Sequence, residues 1–162
     1  MNNYPFKTLR PMFFELIEKG EARAYAIIEG NNDNPPLWGI MFFYEVPKSG
    51  VLVEVEVTGL PDTPSGFHGM HIHENGNCTP PFDMTGNHYN PANTPHPEHA
   101  GDMPPLLSNG GYAYSVFYTN RFDIADILGK SLIIHSHTDD FTTQPSGNSG
   151  EKIGCGVIMR LG

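Results

Sequence analysis

Residues 51–60, VLVEVEVTGL, constrain the fold most, because apolar and polar side chains alternate there with a period of two. Val51, Val53, Val55 and Val57 share one face, and Glu54, Glu56 and Thr58 share the other. That is the pattern of a strand with one side in a core and one in water. Six more segments are rich in β-branched and aromatic residues: 22–30 (ARAYAIIEG), 38–46 (WGIMFFYEV), 66–74 (GFHGMHIHE), 112–120 (YAYSVFYTN), 130–136 (KSLIIHS) and 153–161 (IGCGVIMRL). An eighth short strand is expected near 102–107, weakened by Pro104 and Pro105. The 18 glycines and 15 prolines cut the chain into these short pieces. Helical periodicity is weak. Its best window is 10–19, RPMFFELIEK, read as one or two turns or an extra strand, and 123–128 reads as another turn. The pattern predicts an all-β fold, an antiparallel sandwich or barrel of about eight strands. Two long stretches, 75–101 and 137–152, do not read as strands. Loops of that length in a compact domain usually carry function.

A chain of 162 residues suits one domain with one core. The net charge is −9 and no Lys/Arg block is present, which argues against a nucleic-acid partner. No run approaches the ~20 apolar residues that span a bilayer, so no membrane role is expected. The first 20 residues lack a basic region followed by a long apolar segment, so they make a poor secretory signal. A cytoplasmic location is the expectation, or an extracytoplasmic one if a signal has been removed. The two cysteines, Cys78 and Cys155, cannot form a four-cysteine zinc site. A disulfide, two buried thiols or partners in different chains remain open.

Histidine carries most of the chemical information. Six of the eight fall between His68 and His99, and the others are His135 and His137. Imidazole is the commonest nitrogen ligand for zinc and copper. His71 and His73 are two apart in a strand-like segment, so both rings point the same way while Ile72 turns into the core. A pair of surface histidines would give the same spacing. His88 follows in the long loop, and then His96, His99 and Asp102 fall within seven residues shaped by Pro97 and Gly101. Zinc takes His nitrogen and Asp oxygen in tetrahedral geometry. A polar, solvated loop is the bland alternative. His135 ends the apolar run Leu132-Ile133-Ile134. His68 lies on the strand face opposite His71 and reads as a structural residue bonded to backbone. His137 reads as exposed.

Five motifs, in this order and at compatible spacings, resemble the copper–zinc superoxide dismutases: GFHGMHIHENG (66–76), GNHYNP (86–91), HAGD (99–102), GKSLIIHSHTDD (129–140) and GNSGEKIGCGVI (147–158). The resemblance covers about 22–161 and implies an immunoglobulin-like Greek-key fold over 21–162 with two functional loops. Residues 1–20 form an extension of unknown role. The resemblance also implies copper and zinc cofactors: copper on His71, His73, His88 and His135, and zinc on His88, His96, His99 and Asp102. His88 would bridge the two. Asp139 would hydrogen-bond His71 and His96 from behind, with His68 as a further outer residue, and Cys78–Cys155 would be an intrachain disulfide. The implied reaction turns superoxide into oxygen and hydrogen peroxide through a redox-cycling copper, with His88 carrying a proton. A copper-delivery or metal-binding domain of the same fold is the alternative. Such domains commonly lack copper ligands, whereas this chain keeps all four. The family includes homodimers and monomers.

Three features depart from the family pattern. Lys152 stands where an arginine usually guides superoxide, keeping the charge without the planar fork. A slower enzyme is expected. The loop from His135 to Lys152 is short and poor in basic residues, so steering should be weak. His96 and His99 are only three apart, which requires a tight turn at Pro97. The PPFDM stretch at 80–84 resembles bacterial members.

Overall fold

The computed structural model describes residues 8–33 and 36–162. Residues 1–7, part of the N-terminal extension, lie outside the described residues. The strands are β1 (Ala24–Gly30), β2 (Trp38–Glu45), β3 (Val51–Thr58), β4 (Phe67–His68), β5 (Met70–His73), β6 (Leu106–Leu107), β7 (Ala113–Thr119), β8 (Ser131–His135), β9 (Lys152–Val157) and β10 (Met159–Arg160). Two helices, α1 (Arg10–Lys19) and α2 (Ile124–Ile127), complete the set with a 3₁₀ turn at Asp83–Thr85.

All strand pairs are antiparallel, and the main sheet runs β5-β8-β9-β1-β2-β3-β7, with β10 also on β1. β1, β2 and β3 form a meander. The chain then crosses to the far edge at β5, returns to β7 and crosses again to β8, as in a Greek key. The small pair β4–β6 closes the gap, because β4 leads into β5 and β6 packs on β7. The expected all-β architecture holds. The strand count rises because two predicted segments are interrupted, the first at Gly69 and the second at Ile158. At Gly69 a Cβ would come within 3.0 Å of the Ser149 side chain. The strand expected near 102–107 shrinks to Leu106–Leu107, as the paired prolines dictate.

The alternation in β3 is realised. Val51, Val53, Val55 and Val57 sit in one core with Ile28, Met41, Phe43, Ile72, Leu132 and Ile134, while Glu56 is exposed. Leu52 breaks the pattern: it lies on the outer face yet is 1% exposed. The cause is α1. Met12, Phe13, Leu16 and Ile17 pack over Tyr44, Leu52 and Tyr118, and the Phe13 and Tyr118 rings stack 5.7 Å apart. Pro11 opens the helix and Gly20 closes it with a left-handed φ of 64°, so its ends follow standard stop signals. Segment 10–19 is therefore a full helix that caps the outer sheet, longer than the one or two turns its weak periodicity suggested.

Candidate metal centre

Strand geometry places the first group. His71 and His73 stand on one side of β5, and β5 pairs with β8 so that the row continues toward His135. The register of β8 with β9 slips between Ile134 and His135: Ile134 faces Gly154, but His135 faces Lys152. Bulges of this kind re-aim side chains beside functional sites. Here the extra residue, Ile153, turns into the core, and Lys152 comes to lie across from His135.

The long loop after β5 folds back along it. Ile72 N–H donates to Gly101 O at 2.9 Å, Tyr89 N–H donates to Ile72 O at 2.8 Å, and Gly101 N–H donates to Tyr89 O at 2.9 Å. These bonds bring His88 beside His73 and Asp102 beside His71. Gly101 is required at this crossing, because a Cβ there would run into the Ile72 carbonyl. The Cys78–Cys155 disulfide, Cα–Cα 5.6 Å, ties the start of the loop to β9, and Phe82 and Ile133 pack around it.

Two ligand sets result. One contains His71, His73, His88 and His135, the other His88, His96, His99 and Asp102, and within each set one donor atom per residue lies within 4.8 Å of the others. Every member is buried. His88 belongs to both. Its Nδ1 is 2.8 Å from Asp102 Oδ1 and 3.3 Å from His99 Nδ1, while its Nε2 faces away from them. His96 Nδ1 and His99 Nδ1 lie 3.1 and 3.2 Å from Asp102 Oδ2. The tight turn at Pro97 therefore does bring the two rings together. On the other side, His73 Nε2 is 3.4 Å from His135 Nε2.

Three of the outward ring nitrogens are occupied. His71 Nε2–H donates to Asp139 Oδ2 at 2.6 Å, His96 Nε2–H to Asp139 Oδ1 at 2.8 Å and His73 Nδ1–H to Gly86 O at 2.8 Å. With the proton held outside, each ring offers its lone pair inward. Asp139 thus touches one member of each set. Gly147, with φ 69°, packs directly on this carboxylate, and a Cβ would collide with Asp139 Oδ1 and His96 Nε2. His68 sits apart and fully buried: its Nδ1 is 2.8 Å from His135 O and its Nε2 is 3.0 Å from Pro61 O. It supports backbone on both sides, on one of them that of His135 in the first set, and its own ring joins neither set. His137 is exposed.

Burial makes four of the rings poor bases. It pulls His71 down to about 4, partly offset by Asp139, and His73 down to about 2, reinforced by His88. His135 and His99 are also lowered, first by burial. Burial pushes the Asp139 carboxyl up, but hydrogen bonds from His71, His96 and the Phe141 N–H outweigh it and hold it at about 2. Neutral rings beside ionised carboxylates are the donor states a divalent cation needs. Among the described residues, His71 Nδ1, His88 Nε2 and His96 Nδ1 are buried without a hydrogen-bond partner. Such orphaned lone pairs are costly unless something binds them. The donor chemistry, all-imidazole on one side and imidazole with carboxylate on the other, fits copper and zinc.

A cavity of about 430 Å³ opens over the first set, lined by His73, His88, His135 and Lys152. The Lys152 ammonium lies 2.9 Å from Thr85 Oγ1, 3.0 Å from Gly86 O and 3.4 Å from Phe82 O. Its three N–H bonds thus face the chain's own oxygens, so it offers the cavity charge rather than free donors. Burial lowers its pKa, with Asp83 opposing.

A family model described as copper/zinc superoxide dismutase matches residues 38–158. The chain belongs to the copper/zinc superoxide dismutase family. It is 37% identical over 134 residues to the Cu-Zn superoxide dismutase of Deinococcus radiodurans, covering 69% of this chain and 72% of that one. A Cu-Zn superoxide dismutase of Aquifex aeolicus is 38% identical over 127 residues, covering 68% and 73%. The mouse copper chaperone for superoxide dismutase is 29% identical over 150 residues, 85% of this chain but 53% of that protein. Among solved structures, the clock protein EA4 aligns with a TM-score of 0.76 at 27% identity, covering 87% and 96%. The relatives thus include superoxide dismutases and a copper chaperone. Sequence reasoning had Gly147 only as the first residue of the 147–158 motif, with no role, and it missed the bulge at Ile153, which has no periodic or compositional signature.

Proposed function

We propose that the chain dismutates superoxide, at a copper held by His71, His73, His88 and His135 beside a zinc held by His88, His96, His99 and Asp102. One superoxide gives up an electron and becomes oxygen; a second takes one electron and two protons and becomes hydrogen peroxide. Copper supplies the electron exchange when bound, and zinc, without redox chemistry, fixes the loop. The remaining work falls to the chain. Asp139 and Gly86 O hold the outward protons of His71 and His73, which leaves these rings no role in proton delivery. His88 Nε2 is the atom offered for that role: it is buried and unpaired among the described residues, on a residue that lines the cavity. Lys152 draws the anion to that cavity.

The observation that carries this reading is the membership of His88 in both ligand sets beneath an open cavity with a cation on its wall. A copper-delivery role is the rival, supported by the likeness to copper chaperones. The complete set of four copper donors favours turnover over transfer. The experiment is a superoxide-removal assay on protein loaded with zinc alone and with both metals. Turnover that requires copper supports the enzyme. A chain that binds both metals, leaves superoxide untouched and passes copper to an acceptor protein would establish the carrier instead.

A further inference from the structure

The turn His96–His99 has every backbone hydrogen-bonding group satisfied, and much of the satisfaction comes from two distant side chains. Gln144, in the loop after β8, pairs with the His96 peptide at both ends: its Oε1 accepts from His96 N–H at 2.9 Å, and its Nε2 donates to His96 O at 2.8 Å. Arg121, between β7 and α2, donates through Nη1 to Pro97 O at 2.6 Å and to His99 O at 3.3 Å. The rest is local. Glu98 N–H donates to Pro95 O, Glu98 O accepts from Thr94 Oγ1, and His99 N–H donates to Asp102 Oδ2.

Two rings three residues apart on non-helical chain converge only if the intervening backbone is fixed. We infer that Arg121 and Gln144 are positioning residues for the zinc ligands: they hold the 96–99 turn in its ligating shape from outside, so that His96 and His99 converge before a metal arrives. The inference rests on the zinc set proposed above. Neither side chain touches a ring nitrogen of the site. Gln144 acts by mimicking a neighbouring strand, and Arg121 by tying the Pro97 carbonyl to the His99 carbonyl, which also accepts from Asp102 N–H at 3.1 Å. Both residues are exposed, so neither is part of the core and replacing one removes no packed apolar volume.

The test is zinc affinity of the full chain, measured by competition with a chelator. The variants are Arg121→Leu, Arg121→Lys, Gln144→Ala and Gln144→Glu. Loss of outer partners typically weakens metal binding about 10–100-fold, and because these two act through backbone we expect about tenfold for Arg121→Leu and for Gln144→Ala. Arg121→Lys should recover part of the loss, since one ammonium still reaches a carbonyl. Gln144→Glu should not recover, since it keeps the acceptor for His96 N–H but sets a carboxylate against His96 O. Copper affinity, measured with zinc saturating, should hold within about twofold. Cobalt placed in the zinc site should show weakened or shifted tetrahedral visible bands in the variants. Wild-type zinc affinity in both Arg121→Leu and Gln144→Ala, or equal loss of copper and zinc, would overturn the inference. A His99→Ala variant that keeps full zinc affinity would overturn the ligand set itself.

Discussion

The two halves of the proposed centre, the copper set and the zinc set, are built by different means. His71, His73, His135 and Lys152 stand on β5, β8 and β9, so ladder register and core packing aim them. His88, His96, His99 and Asp102 all come from one loop, and side chains from elsewhere aim them. Asp139 reaches His96, Gln144 and Arg121 reach the turn, and the disulfide anchors the loop's start. A strand-borne site inherits the rigidity of the sheet. A loop-borne site needs its own struts.

The largest effect should come from cutting the loop's covalent anchor. Replacing Cys78 and Cys155 by serine releases a 77-residue separation, worth about 4.5 kcal/mol in the chain-entropy account. Urea unfolding of the metal-free chain should show that loss, and an unchanged midpoint would remove the anchor from the comparison. Ile72→Ala attacks the strand half instead. Ile72 is fully buried between His71 and His73, and its truncation should lower stability by about 2–5 kcal/mol. Zinc affinity of the folded variant should stay close to wild type, because the Ile72 backbone still holds the loop; a large zinc defect would mean that the halves are not separable.

Asp139→Asn should weaken both metals by about 10–100-fold, since one amide cannot accept from both His71 and His96. A loss confined to one metal would show that the carboxylate serves one set only. Gly147→Ala pushes on the same carboxylate from its His96 side, and about tenfold weaker zinc with a smaller copper change is expected in chelator competition. Smallest is Lys152→Arg, which restores a planar fork and should raise kcat/KM a few-fold with only mild dependence on salt. No gain, or a steep fall with ionic strength, would count against a local, short-range role for this cation.

The two halves also differed in how far the chain could be read. The period of two in β3 and the His71-x-His73 spacing are local, so the all-β architecture and the strand pair were visible without coordinates. The clustering of His88, His96, His99 and Asp102 marked the loop as chemically active, and the family likeness supplied their roles. What could not be read was non-local. The bulge at Ile153 exists only because β8 and β9 meet. Gly147 is one glycine among many until Asp139 is placed beside it. Gln144 and Arg121 sit far along the chain from His96 and His99 and carry no motif of their own. Helix α1 showed weak periodicity because its apolar side chains have only an exposed sheet face to cover, around Leu52 and Tyr44.

The central claim is that one ring, His88, is shared between the two ligand sets. It is tested most directly by loading Cu(II) into the first set and Co(II) into the second and recording the copper electron paramagnetic resonance signal. A shared imidazole couples the two ions, so the copper signal should vanish with cobalt present and return when zinc replaces it. A full, unperturbed copper signal beside bound cobalt would contradict the account.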